Sequence, residues 1–221
     1  SNRGAVLVPV PHIGLTQEIL LIIDRYMALG KIAKTKIFVE KSIAEIWSIH
    51  EMYSEYLSEE INNFIQQINQ NRFFSGDFTV VQSHILENEP AVIVAPLFSN
   101  DGGPSLNYLE QISQQHDSKI ILTSYQMPGS LGRFIQEGGK QMSVAGQQIE
   151  VRCVIEKIQG LDVHSDYNQL ISYVSKLRPK LRRVLVNNGE RSKVQNLAAS
   201  INRMLKIQTQ HPSVLEAVKL V

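Results

Sequence analysis

The sequence has little of what builds special sites. It contains one cysteine, Cys153, in 221 residues. A single thiol excludes an internal disulfide framework and a Cys-rich zinc knuckle, and it fits a reducing cytosol. Cys153 lies in the apolar run Val151 to Ile155 and reads as core. No apolar run approaches the roughly 20 residues of a membrane helix. Ile19 to Ile23, for example, is bounded by Glu18 and Asp24. No basic, then apolar, then small-residue leader opens the chain, so a cytoplasmic protein with no membrane partner is expected. Net charge is also nearly absent, at +1, which leaves no global field to collect polyanions. Neither a G-x-G-x-x-G nor a Walker loop occurs, which weakens a nucleotide-binding reading. His12, His50, His84, His116 and His211 lack ligand spacings such as H-x-H or H-x-x-x-H.

What is present is an ordinary globular composition, 43% hydrophobic and 19% charged, enough for a substantial core. Ala5 to Val10, Lys36 to Glu40, Phe78 to Val81, Ala91 to Ala95 and Lys119 to Thr123 are short Val/Ile-rich runs of strand length. Helical spacing follows Gly14, follows Ser42 as expected cap and continues, with interruptions, through Tyr53, Leu57, Ile61, Phe64 and Ile68, and recurs over Leu106 to Ile112 and Leu131 to Gln136. Alternating strands and helices predict an α/β fold, Rossmann-like, with a mainly parallel sheet flanked by helices. The pattern changes at Lys140, where Gln141 to Ala145 and Gln148 to Ile155 flank Gly146 as a hairpin. Then come a helix (Tyr167 to Leu177), a strand (Arg183 to Val186), a helix (Val194 to Leu205) and an expected terminal strand, Ala217 to Val221. Trp47, Tyr53 and Tyr56 at helical spacing read as core and groove-wall residues.

Several residues carry chemistry. His164 precedes Ser165-Asp166 and a helix; an imidazole that titrates near neutrality can protonate a leaving oxygen. The alternative is that Ser165 or Asp166 caps the helix and His164 is a surface residue beside it; the chemical reading leads. Gly102-Gly103-Pro104-Ser105 joins a strand to a helix, where backbone amides and a hydroxyl can meet a phosphate; it is also simply a tight turn. Ser130 and Arg133 have the same placement with a guanidinium added, although Arg133 can instead pair with Glu137 one turn on. Lys176, Arg178, Lys180, Arg182 and Arg183 put five cations in eight residues at a helix end. That run suits an RNA backbone, or else a solvated C-terminus favoured by the helix dipole. Asn187-Asn188-Gly189 reads as a strand-terminating turn.

In order, these segments resemble β-CASP nucleases of the metallo-β-lactamase superfamily, of the archaeal cleavage and polyadenylation specificity factor type. Gly14-Leu15-Thr16-Gln17-Glu18 is similar to the family's G-R-x-Q-E helix start. Ser48-Ile49-His50 through Tyr53-Ser54-Glu55-Tyr56-Leu57 is similar to A-I-H-x-x-Y-P-E-Y-L. Gly102 to Ser105 matches G-G-P-S, and Tyr125-Gln126-Met127-Pro128-Gly129-Ser130-Leu131-Gly132-Arg133 resembles Y-Q-x-x-G-T-L-G-R. Gly160 to Tyr167 and Val184 to Glu190 resemble the C-terminal active-site signature, and Leu215 to Leu220 the closing segment of archaeal members.

The resemblance implies an RNA-processing fold that cleaves with two zinc ions, single-stranded RNA as partner, homodimerisation through the C-terminal segment, and a general-acid or phosphate-contacting His164. It also exposes departures. The N-terminal metal motif H-x-H-x-D-H has no counterpart, Leu15 replaces the Arg of the helix start, Leu97-Phe98-Ser99 stands near the family's S-G-M, and Asn188 replaces a zinc-ligand His. A neutral amide is a poor zinc ligand. The expectation is a β-CASP domain over residues 1 to 162, truncated at its N-terminal side, and a lactamase-type segment over 163 to 221. It would bind no metal or cofactor of its own and form one wall of an RNA cleft in mRNA 3′-end processing without cleaving alone. Alternatives are a non-catalytic scaffold paralogue and, more weakly, a nucleotide-binding α/β protein.

Overall fold

The computed structural model describes residues 4–67, 78–83, 86, 90–98, 103–144, 146–161 and 164–219. The chain divides into two compact units, Ser1–Asp162 and Val163–Val221. Among the described residues no helix is long and apolar enough to cross a membrane.

The first unit runs β1 (Val6–Val10), α1 (Leu15–Ala28), β2 (Lys36–Glu40), α2 (Lys41–Met52), α3 (Glu59–Gln67), β3 (Phe78–Val81), β4 (Ala91–Pro96), α4 (Pro104–Ile112), β5 (Lys119–Leu122), α5 (Leu131–Gln136), β6 (Gln141–Val144), β7 (Gln147–Glu150) and β8 (Val154–Lys157). Six strands form one all-parallel sheet in the order β3-β2-β4-β1-β5-β8. Both faces are covered, and the period-2 alternation of side chains sorts residues between them. Leu7, Phe38, Ile93, Ala95, Ile120 and Leu122 pack with α4, α5 and the β6–β7 hairpin. Val8, Val10, Ile37, Val39 and Val94 pack with α1 and α2 on the other side. A parallel strand with an apolar neighbour on each face must be apolar at every position, which is why these runs are Val/Ile-rich rather than alternating.

In this unit three expectations need correction. Ser42 does not cap α2. Strand β2 enters the helix without a loop, and Glu40, 2% exposed, is the N-cap. Its carboxylate accepts from the Lys41 amide at 3.3 Å and from the Ser83 amide at 3.0 Å. A carboxylate at a positive helix end, bonded to two backbone N–H groups, is a stronger cap than a hydroxyl. The helical stretch is interrupted, as expected, and the interruption falls at Tyr53, where a 3₁₀ turn (Ser54–Tyr56) intervenes before α3; Ile68 lies outside the described residues. Tyr53 and Tyr56 are not core: they are 52% and 83% exposed. The expected strand Gln148 to Ile155 splits at Val151–Cys153, so β7 pairs antiparallel with β6 while β8 joins β5 in the main sheet. The split is fixed by Ser113, whose carbonyl accepts from the amides of Arg152 and Cys153.

The second unit packs α6 (Tyr167–Leu177) and α7 (Arg191–Leu205) with a parallel pair, β9 (Arg183–Leu185) and β10 (Gln208–Gln210). Val186, Ala198 and Ile201 are its buried centre, with Ile171, Val174 and Leu205 around them. β10 was not expected. The terminal strand was expected, yet Ala217 to Lys219 are irregular, and 220–221 lie outside the described residues. Gln208-Thr209-Gln210 is polar and carries no strand signal; its pairing with β9 decides its conformation.

Removing the Glu40 carboxylate takes the side-chain acceptor from the Lys41 and Ser83 amides. Glu40→Ala should lower stability by about 1 kcal/mol, the usual cost of a lost N-cap, read from urea unfolding. Burial pushes the Cys153 thiol up from its ordinary 9.0 to about 11. The unfolded chain then loses that proton first, so this contribution to stability is present below about 9 and lost as pH rises toward about 11. Over that window the unfolding midpoint should fall more for the parent chain than for Cys153→Ala.

Candidate nucleic-acid interface

In doubly wound sheets ligands bind beyond the carboxyl ends of the strands, where neighbouring strands send their chains to opposite faces. Here β1 provides it, flanked by β4 and β5, both of which pair with it directly. The chain leaves β1 for α1 on one face and leaves β4 and β5 for α4 and α5 on the other. The β1–α1, β4–α4 and β5–α5 connections therefore share one edge, and Gly103, Ser105, Ser130 and Arg133 are all placed there. Gly102 lies outside the described residues.

Much of the chemistry of these loops is directed inward. At the start of α1, the fully buried Thr16 donates its hydroxyl to the Pro11 carbonyl. Gln17 accepts from the Gly14 amide at 2.7 Å and donates to the His12 carbonyl at 3.2 Å. At the start of α4, Ser105, 2% exposed, donates to the Pro96 carbonyl. Gly103 is the N-cap at φ 112°, a conformation that favours glycine, and Pro104 at the first position has no N–H to offer an anion. At α5 the Ser130 hydroxyl accepts from the Arg133 amide at 3.2 Å. Gln126, 5% exposed, lies against Gly132 so closely that a Cβ there would overlap Gln126 Oε1. Arg133 Nε donates to Glu137 Oε1 at 2.5 Å, the pairing its spacing allowed. The Y-Q-x-x-G-S-L-G-R run thus has a structural reason at several of its letters. Tyr125 and Met127, 53% and 68% exposed in the same loop, are residues that sequence reasoning did not single out as a site. Their only signal is an apolar pair inside a Pro/Gly turn.

The second unit holds His164, Asn188 and the basic run. His164 is exposed, two residues before Asp166, which caps α6. Asp166 accepts from the Gln169 amide at 2.7 Å and its own amide donates to Gln169 Oε1 at 2.9 Å, a reciprocal capping box. Asn188 is exposed at φ 60°, the left-handed region that asparagine tolerates and a turn demands. Among the described residues no three His, Cys, Asp or Glu side chains come together as a metal site. Asn188 presents a neutral amide, which is a poor zinc ligand. His50 bonds the Ile46 carbonyl at 2.9 Å inside α2.

The five cations behave differently from one another. Lys176 closes α6, and a 3₁₀ turn (Arg178–Lys180) carries the run onward to β9. Lys176, Arg178, Lys180 and Arg182 are exposed and form no ion pair with any described residue. Arg183 is half-buried and fixed to the backbone: it donates to the Lys219 carbonyl and, at 3.3 Å, to Gln208 Oε1.

Comparison with known proteins matches this architecture. The Beta-Casp domain matches residues 16–135, and the Zn-dependent metallo-hydrolase RNA specificity domain matches residues 148–212. Over its full length the chain is 42% identical to transcription termination factor FttA of Cenarchaeum symbiosum and 34% identical to that of Pyrococcus horikoshii. It covers 36% and 35% of those proteins, about a third of their length. Over 96% of its length it is 35% identical to an RNase J-like protein of Methanocaldococcus jannaschii, covering 49% of that protein. The doubly wound sheet, the motif-bearing loops at its carboxyl edge and a domain match over more than half the chain together place it: the chain belongs to the β-CASP family of the metallo-β-lactamase superfamily.

Proposed function

We propose that this chain is the β-CASP portion of a transcription-termination or mRNA 3′-end processing factor, forms one wall of an RNA cleft, and does not cleave RNA by itself. The alignment with termination factors over the full chain supports the process. The observation that carries the RNA contact is the run Lys176 to Arg182, four exposed cations without an ion pair to any described residue. The helix dipole favours a cation in the last turn by about 0.3–1 kcal/mol and fades beyond it. Three of the four lie past the end of α6, so the dipole does not account for them. A polyanion does, by releasing counterions at each phosphate.

In this reading Gly103, Ser105, Ser130 and Arg133 shape the cleft wall, with Ser105 and Ser130 holding loops rather than phosphate. His164 faces the scissile region as proton donor only when the rest of the metal site is supplied. The β-CASP domain spans 1–162 and the lactamase-type segment 163–221. Homodimerisation uses the closing segment, where Val214 and Leu215 are 94% and 100% exposed. The protein works in the cytoplasm.

A second reading, a scaffold paralogue without nuclease chemistry, is favoured by Asn188. Single-stranded RNA affinity that falls steeply with salt supports the cleft; tight partner binding with no RNA affinity supports the scaffold.

Lys180→Glu with Arg182→Glu should weaken single-stranded RNA binding and flatten the slope of log K against log salt by about 1.4, two contacts at about 0.7 each. Arg183→Glu should instead lower the thermal midpoint of the second unit. An unchanged slope in the double variant would return the run to a solvated helix end. The purified chain should show no zinc-dependent ribonuclease activity. Cleavage that a chelator and His164→Ala both abolish would overturn that part of the proposal.

A further inference from the structure

A surface far in sequence from the basic run has the opposite character. Ile49, Met52 and Tyr53 stand at i, i+3 and i+4 along the last turn of α2 and its C-cap, and Tyr56 follows in the 3₁₀ turn beyond it. They are 54%, 72%, 52% and 83% exposed. The other face of α2 already holds the helix on the sheet. Ile43 is fully buried there, and the half-buried Trp47 meets Phe78 edge to face with centroids 5.8 Å apart. The exposed stripe is therefore not needed to dock α2.

It is also preformed. The Tyr53 amide still bonds the Ile49 carbonyl at 3.2 Å as α2 ends. The 3₁₀ turn that follows closes with Tyr56 on Tyr53 at 3.1 Å and Leu57 on Ser54 at 3.0 Å. The Tyr53 and Tyr56 rings lie 6.5 Å apart, tilted against each other. Large aromatics with few torsions on a hydrogen-bonded turn lose little entropy on binding, which is the character of interface anchors.

Charge decides what binds there. Between Lys41 and Arg72 the chain has five glutamates, Glu45, Glu51, Glu55, Glu59 and Glu60, and no lysine or arginine. Glu45, Glu55, Glu59 and Glu60 are exposed; Lys41 stands 3.9 Å from Glu45. RNA and anionic lipid are repelled by such a surround. A helix with apolar anchors along one face and lysine or arginine beside them satisfies both features at once. We propose that the Ile49–Tyr56 face is a docking site for a basic amphipathic helix of a partner protein.

The test uses a synthetic peptide of about five helical turns, with leucine and tyrosine at i, i+3, i+4 and i+7 and lysines on both flanks. A scrambled peptide of the same composition and a glutamate-flanked version serve as controls. Calorimetry with the intact chain should show saturable binding of the lysine helix and none of the glutamate one. Tyr53→Ser with Tyr56→Ser should weaken it about tenfold or more while leaving the melting curve in place, since neither ring is core. Equal binding of the scrambled peptide, or unchanged binding to the double variant, would overturn the proposal. So would sedimentation showing a dimer of the free chain that the double variant dissociates, because a second copy would then cover the face.

Discussion

A parallel sheet leaves its last backbone carbonyls without a ladder partner, all along one edge, and this fold answers that constraint at two helix starts. β1 and β4 are in register there, Val10 opposite Pro96. Past that point the Pro11 carbonyl receives the Thr16 hydroxyl and the Pro96 carbonyl receives the Ser105 hydroxyl. Both donors are buried, so each bond is made away from water, where an orphaned carbonyl would cost about 1–3 kcal/mol. The same bonds fix where α1 and α4 begin. Because the two helices cover opposite faces of the sheet, the edge between them becomes the place where a ligand can approach backbone and side chain together. The loops that look like binding motifs are therefore loops the fold needs in any case.

That double duty explains which parts of the protein were legible in the sequence. The buried strands were legible because a strand covered on both faces must be apolar throughout; Val6–Val10 and Ala91–Pro96 leave few other readings. The motif loops were legible as a family pattern, but not their bonding, since sequence does not say whether a hydroxyl such as Ser105 points at solvent or at Pro96. Glu40 was missed because the apolar strand runs into the helix with no loop to announce a cap, and Ser42 looks better by propensity. The exposure of Tyr53 and Tyr56 was hidden because helical spacing reports a face and not which way it turns. β10 had no local signal at all: its three polar residues are a strand only because β9 is beside them.

In the second unit, cations adjacent in sequence divide by the partners the fold gives them. Arg183 opens β9 and is drawn to Gln208 at the start of β10 and to the Lys219 backbone, so it ties the polar strand and the tail to the unit. Arg182, one residue earlier, precedes the strand and is exposed. A count of charges treats the two alike. Their partners separate them, and that makes a charge-reversal at 183 a question of folding where one at 182 is a question of phosphate.

The same reasoning applies to the molecule as a whole. A net charge of +1 describes a protein with no field, yet residues 42–71 hold five glutamates and no lysine or arginine, and residues 176–183 hold five cations and no acid. At physiological salt the Debye length is about 8 Å, so an exposed cluster is felt chiefly by what touches it. Cancellation in the sum is then not cancellation at the surface. One surface can gather a polyanion while another excludes it, and the acidic face, with four large apolar side chains exposed inside it, is selective for a partner that brings both grease and positive charge.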